Sequence, residues 1–135
     1  MSKELWLNLP VKDVKKSKEF YTRIGFSLNP QHPNTDEAVS LIVGDNKVVV
    51  MLFPESTFKG FTRNEIADTK QATEVLISIG ADSREEVEEL AKKAAEAGGT
   101  VFCEPEGQGW MYSAGFADLD GHRWNVLYMD MSQMA

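Results

Sequence analysis

One succession of apolar patterns occurs twice in this chain, and that recurrence limits the fold more than any single motif does. Residues 5–10 alternate as a strand, with Leu5, Leu7 and Leu9 on one side and Trp6, Asn8 and Pro10 on the other. Asp13 has the chemistry of a helix N-cap, Val14, Phe20, Tyr21 and Ile24 fall on one helical face, and Gly25 is a stop. Strands are expected at 26–28, 38–43 and 47–53, the last two around the turn Gly44-Asp45-Asn46. The order then returns. A strand over 74–79 leads to Ser83 and Glu86, a capping box in which each side chain satisfies a free backbone donor. The helix that follows buries Val87, Leu90, Ala91, Ala94 and Ala95 and ends at Gly98-Gly99, and strands are expected at 100–103, 112–117 and 123–128. Two copies of strand, helix, strand, strand, strand imply an α+β fold. Its helices pack on one face of curved sheets and leave the opposite face to form a cleft.

The run FADLDGHRWNVLY, Phe116 to Tyr128, supplies the last two strands as a hairpin, with Asp120-Gly121 as its tight turn. Period-two alternation sends His122, Trp124, Val126 and Tyr128 to one face and Arg123, Asn125 and Leu127 to the other. Trp124 and Tyr128 are expected to point to the helices and Asn125 to the cleft. Between the halves, residues 54–73 lack a clear period. Phe58 and Phe61, three residues apart, argue for an ordered crossing segment.

Charge narrows the partners. With 21 acidic against 14 basic residues, a net charge of -7, the chain lacks the basic face that phosphates demand, so neither nucleic acid nor an anionic membrane is an expected partner. A neutral or cationic small ligand is compatible with that balance. The single cysteine, Cys103, excludes an internal disulfide, no leader pattern opens the sequence, and no apolar run approaches the ~20 residues of a membrane span. The expectation is one cytoplasmic domain.

Several residues are candidates for function on their own chemistry. Glu74, at a strand start on the cleft face, is either a general base or cation anchor, or an ordinary exposed strand-end glutamate. Asn125 and, less forcefully, Asn8 are amides in mid-strand positions that demand partners. Trp6 can stack a flat ligand or fill core, and Met51 with Phe53 forms apolar wall. The stretch 106–112, with glycines around Trp110 and Tyr112, is a flap over the cleft or a wide hairpin. His122 has a turn role, His32 is expected in solvent, and Cys103 reads as a small buried hydrophobe. Phosphate loops, paired-cysteine zinc sites and serine-hydrolase elbows are absent from the sequence.

The segments NLPVKDVKKSKEFYTRIGF, AAEAGG and DLDGHRWNV resemble the vicinal oxygen chelate superfamily, which contains glyoxalase I, bleomycin-resistance proteins and extradiol dioxygenases. The resemblance implies a single glyoxalase-like domain over residues 1–135, made of two βαβββ modules (about 3–54 and 74–130) joined by a crossing segment (about 55–73), with mixed sheets curled around a pocket. It also implies a homodimer. Metal-using members draw one ligand from each of four strands, and alignment by flanking sequence puts Trp6, Met51, Glu74 and Asn125 at those places. Only Glu74 is a good hard-metal ligand: indole has no lone pair to offer, a thioether suits soft metals, and a lone amide oxygen binds weakly. The implied protein is therefore a small-molecule binder of the glyoxalase and bleomycin-resistance type with a degenerate metal site and no cofactor. Trp6, Asn8, Met51, Glu74, Tyr112 and Asn125 would line its pocket around a planar cationic or polar compound. The alternative implied by the same resemblance is a metal-dependent lyase or isomerase of the glyoxalase I (lactoylglutathione lyase) type, using zinc, nickel or manganese with Glu74 to move the proton.

Overall fold

A computed structural model describes residues 5–107 and 109–133. The chain divides between Asp68 and Thr69 into two compact units. Together they hold two four-stranded mixed sheets and three α-helices, an α+β architecture of two βαβββ modules.

In the first unit, β1 (Trp6–Val11) leads to α1 (Val14–Arg23), β2 (Ser27–Leu28), β3 (Val39–Val43), β4 (Val48–Pro54) and α2 (Glu55–Thr62). The strand order is β1-β4-β3-β2, with β1 parallel to β4 and the other pairs antiparallel. Asp13 caps α1 as expected, its carboxylate accepting the Lys16 N–H at 3.0 Å. At the far end Gly25 has φ of 108°, and the Phe26 N–H reaches back to the Tyr21 carbonyl at 2.9 Å. That left-handed step satisfies otherwise orphaned helix carbonyls. Val14, Phe20 and Tyr21 are buried on α1, and the strand row Val39, Leu41, Val50, Leu52 is at most 1% exposed. These two apolar surfaces make the unit's core.

The second unit repeats the plan with β5 (Leu76–Gly80), α3 (Arg84–Glu96), β6 (Thr100–Glu106), β7 (Met111–Ala117) and β8 (Arg123–Met129), followed by one 3-10 turn, Met131–Gln133. Its strand order, β5-β8-β7-β6, reproduces that of the first sheet, again with the outer strand β5 parallel to β8. Ser83 caps α3 by accepting the Glu86 N–H at 3.0 Å. Glu86 reaches back to the Asp82 N–H at 3.1 Å, one residue before the cap itself. Val87, Ala91, Ala114 and Val126 form the buried cluster between α3 and the sheet. Phe116 and Trp124, both fully buried, stack with planes 2° apart.

Three local differences from the sequence reading have physical causes. Residues 55–62, taken as part of a non-periodic crossing segment, form α2, whose Phe61 ring meets Phe53 edge-on at 5.1 Å. The helix is only eight residues long with no buried residue, so its amphipathic signal is weak. Strand β5 begins at Leu76, leaving Glu74 in the bend ahead of it. The connection from β7 to β8 is a five-residue loop rather than a two-residue Asp-Gly turn. Asp118, 5% exposed, organises that loop: its carboxylate accepts the N–H groups of Asp120 (2.9 Å) and His122 (2.8 Å), and its own N–H donates to the His122 carbonyl.

Candidate functional site

Each sheet has one face covered by its helix and one free of it, and strand parity assigns every candidate to one of them. In the first unit the face turned away from α1 carries Trp6, Asn8 and Pro10 of β1 beside Val49, Met51 and Phe53 of β4, and Phe61 of α2 meets it at Phe53. Asn8 lies opposite Met51, which in turn lies opposite Ser40 of β3, so the three form a row across the sheet. Trp6 is 39% exposed and Met51 only 6%. Side chains from the loop after β2 complete this face. Asn29, buried, donates to the Ser40 hydroxyl at 3.2 Å, and Asn34 accepts the Ser40 N–H at 2.8 Å. His32, expected in solvent, is half-buried with its ring edge-on to Trp6 at 4.9 Å. A ring-ring contact of that kind removes apolar edge from water while leaving a ring face open.

In the second unit, Trp124, Val126 and Tyr128 point toward α3, as the parity reading expects, and Arg123, Asn125 and Leu127 point away. Asn125 lies opposite Ser78 and donates to its hydroxyl at 3.4 Å, a weak bond that leaves the amide oxygen available. On the other side of Asn125 is Gly115, and the ring of Phe102 lies where a β-carbon on Gly115 would be, 2.5 Å away. Phe102 in turn carries the Arg123 guanidinium, 4.2 Å from its ring centroid. Glycine at 115 thus leaves room for an aromatic ring against the sheet, and the ring supports a cation.

Tyr112 does not belong to this face. It packs against the α3 cluster, donates its hydroxyl to Glu88 at 2.8 Å, and lies under the Arg84 guanidinium at 5.0 Å. The hydrogen bond to Glu88, followed by desolvation, pushes its phenol above the ordinary value. Arg84 also donates to the Gly109 carbonyl at 3.2 Å, so α3 anchors the turn that precedes β7. Cys103 is half-buried, and burial, then the hydrogen bond to Glu106 and the charges of Glu106 and Glu104, push its thiol up, the opposite of an activated nucleophile.

The four positions read as metal ligands are thus an indole packed on His32, a buried thioether, an exposed carboxylate outside the sheet and an amide bonded to a serine. Trp6 and Leu76 each stand seven residues ahead of their helix cap, so Leu76, not Glu74, holds the place in the second unit that Trp6 holds in the first. Among the described residues no three His, Cys, Asp or Glu side chains gather as a metal site would require. This donor set does not fit a hard divalent metal.

Parity puts Ser78 on the same face as Asn125, as found, but it missed His32, Asn29 and Phe102 as parts of these faces. Only Asn29 left a sequence signal, as a turn-forming residue beside proline; the others are brought in by strand pairing and loop folding, which act at long sequence separation.

Residues 5–126 match the family model described as the Glyoxalase/Bleomycin resistance protein/Dioxygenase superfamily. Among solved structures, hypothetical protein SA1046 from S. aureus is similar at 36% identity and a TM-score of 0.82, covering 95% of this chain and 94% of its own. A glyoxalase/bleomycin resistance protein/dioxygenase family enzyme from Burkholderia phytofirmans is similar in fold at 17% identity and a TM-score of 0.75, covering 92% and 96%. A glyoxalase-related enzyme from Fulvimarina pelagi is similar in fold at 16% identity and 0.77, covering 95% and 88%. No curated protein matches the chain.

Proposed function

Because the chain belongs to the Glyoxalase/Bleomycin resistance protein/Dioxygenase superfamily, we propose that it is a small-molecule-binding member that works without the family's metal chemistry. Its ligand is a planar polar compound, received on the sheet faces turned away from α1 and α3. The observation that carries this reading is the Asn125 side chain. At the strand position where a metal ligand would stand, an amide leans on the Ser78 hydroxyl and keeps an acceptor for a ligand, beside an aromatic ring packed on Gly115. Trp6 offers a second aromatic surface in the first unit, with Asn8 on the same strand face. On its own sheet face each amide can orient a ligand's polar groups, and in the first unit the Trp6 ring can bind the ligand's plane. Glu74 is exposed in the bend ahead of β5, and the reading rests on the amides instead, which favours a polar over a cationic ligand. The same reading has the protein acting in the cytoplasm as a homodimer. No described helix is long and apolar enough to cross a membrane.

The test begins with elemental analysis of protein purified without chelator, followed by titration with zinc, nickel and manganese. We expect no stoichiometric uptake. Saturable binding of one metal per chain together with turnover of a hemithioacetal would establish the lyase alternative instead.

A further inference from the structure

We propose that Arg123, backed by Phe102, is an anion anchor, and that the ligand class received by the second unit is a planar carboxylate carrying a second hydrogen-bonding group. The proposal rests on the planar-ligand reading above and adds the sign of the ligand's charge. Arg123 lies on the helix-free face, opposite Leu76 on one side and Ala117 on the other, both of which lack polar groups in their side chains. Arg123 is half-buried, and its guanidinium lies over the Phe102 ring, 4.2 Å from the centroid. Among the described residues no carboxylate pairs with it. A guanidinium presents five N–H donors in a rigid plane and no acceptor, and one already immobilised on an aromatic ring loses little further freedom when it engages a carboxylate through two parallel bonds.

The support beneath it is specific. The Phe102 ring occupies the space above Gly115 that any β-carbon would claim, so backbone, ring and guanidinium form three successive layers. Two residues along β8 on the same face, about 7 Å away by strand rise, the Asn125–Ser78 pair supplies donors and an acceptor. A flat molecule with a carboxylate at one end and a hydroxyl or carbonyl at the other matches that spacing. Part of the chain's net charge of -7 is directed away from this face. Glu85, Glu86, Glu88 and Glu89 are on α3, which packs on the other face of the sheet, and Glu104 and Glu106 gather at the Cys103 thiol.

Calorimetric titration of the full chain with 4-hydroxybenzoate, 4-hydroxybenzamide and 4-hydroxybenzamidine tests the proposal, because the three probes share a ring and hydroxyl and differ in charge. We expect the carboxylate to bind about tenfold or more tighter than the amide, and the amidinium weakest of the three. Arg123→Gln should lower carboxylate affinity about tenfold or more and amide affinity by much less. Arg123→Lys should recover only part of the loss, since an ammonium lacks the planar fork, and Phe102→Leu should weaken the carboxylate more than the amide. Circular dichroism of each variant separates lost binding from lost fold. Equal affinity of carboxylate and amide for the parent protein, or unchanged carboxylate affinity in folded Arg123→Gln, would overturn the anion anchor while leaving the planar-ligand reading intact. If none of the three probes binds the parent protein, the planar-ligand reading fails and the anchor with it.

Discussion

In the first unit the row Asn8, Met51, Ser40 is finished by a loop: Asn29 and Asn34 hold Ser40, and His32 leans on Trp6. The corresponding row in the second unit, Ser78, Asn125, Gly115, is finished by a neighbouring strand, whose Phe102 fills the space over the glycine and supports Arg123. The two units share strand order, parallel outer pair, oxygen N-cap and left-handed glycine stop. They differ on the sheet faces turned away from α1 and α3. Backbone hydrogen bonding and core burial tie down the shared features, whereas the faces turned away from α1 and α3 also carry the exposed Trp6, Asn8, Ser78 and Phe102, which are available for recognition.

The shared cores give the largest effects. Phe20→Ala in the first unit and Phe116→Ala in the second, each removing a ring at most 1% exposed, should both cost about 3–5 kcal/mol in denaturant unfolding. A large cost in one unit alone would break the equivalence.

The glycine turns should separate the units. Gly121 has φ of 85°, and a β-carbon there would collide with the Thr69 hydroxyl, which donates to the Asp120 carbonyl at 2.6 Å. Gly25 has φ of 108° but nothing within 4 Å. Gly25→Ala should cost about 1–2 kcal/mol for the left-handed backbone alone. Gly121→Ala should cost that and about 1–3 kcal/mol more for the collision. Thermal unfolding of the pair reads the difference, and the double variant Thr69→Ala, Gly121→Ala should narrow it.

The caps should be alike. Asp13→Ala and Ser83→Ala each remove one side-chain acceptor from an N3 amide at 3.0 Å and should each cost about 1 kcal/mol.

The smallest expected effect is confined to the second unit. Tyr112→Phe removes the exposed hydrogen bond to Glu88 and should change stability only slightly near neutral pH. Because the folded-state phenol is raised above its ordinary value of 10.0, the bond's contribution is complete below that value and disappears as pH rises through the folded-state pKa. The parent and Tyr112→Phe stability curves should therefore converge at strongly alkaline pH. Absorbance titration of tyrosinate should show one late-titrating phenol that the variant lacks.

Local chemistry determined much of this protein from sequence alone. Asp13 and Ser83 had to be caps, because an oxygen ahead of an amphipathic run satisfies orphan amides; Gly25 and Gly98 had to be stops, because φ values of 108° and 101° suit glycine alone. Alternation fixed the faces of Trp6, Asn8, Arg123 and Asn125, and with them the βαβββ repeat. Tertiary structure decided the rest. Asp118 reshaped the Asp-Gly turn through two bonds from its buried carboxylate, the start of β5 placed Glu74 outside the sheet, and Tyr112 turned to Glu88 on α3. Phe102 met Gly115 and Arg123 only because β6, β7 and β8 pair side by side. Those contacts join residues far apart in sequence, and no period or local propensity encodes which distant side chain fills a given space.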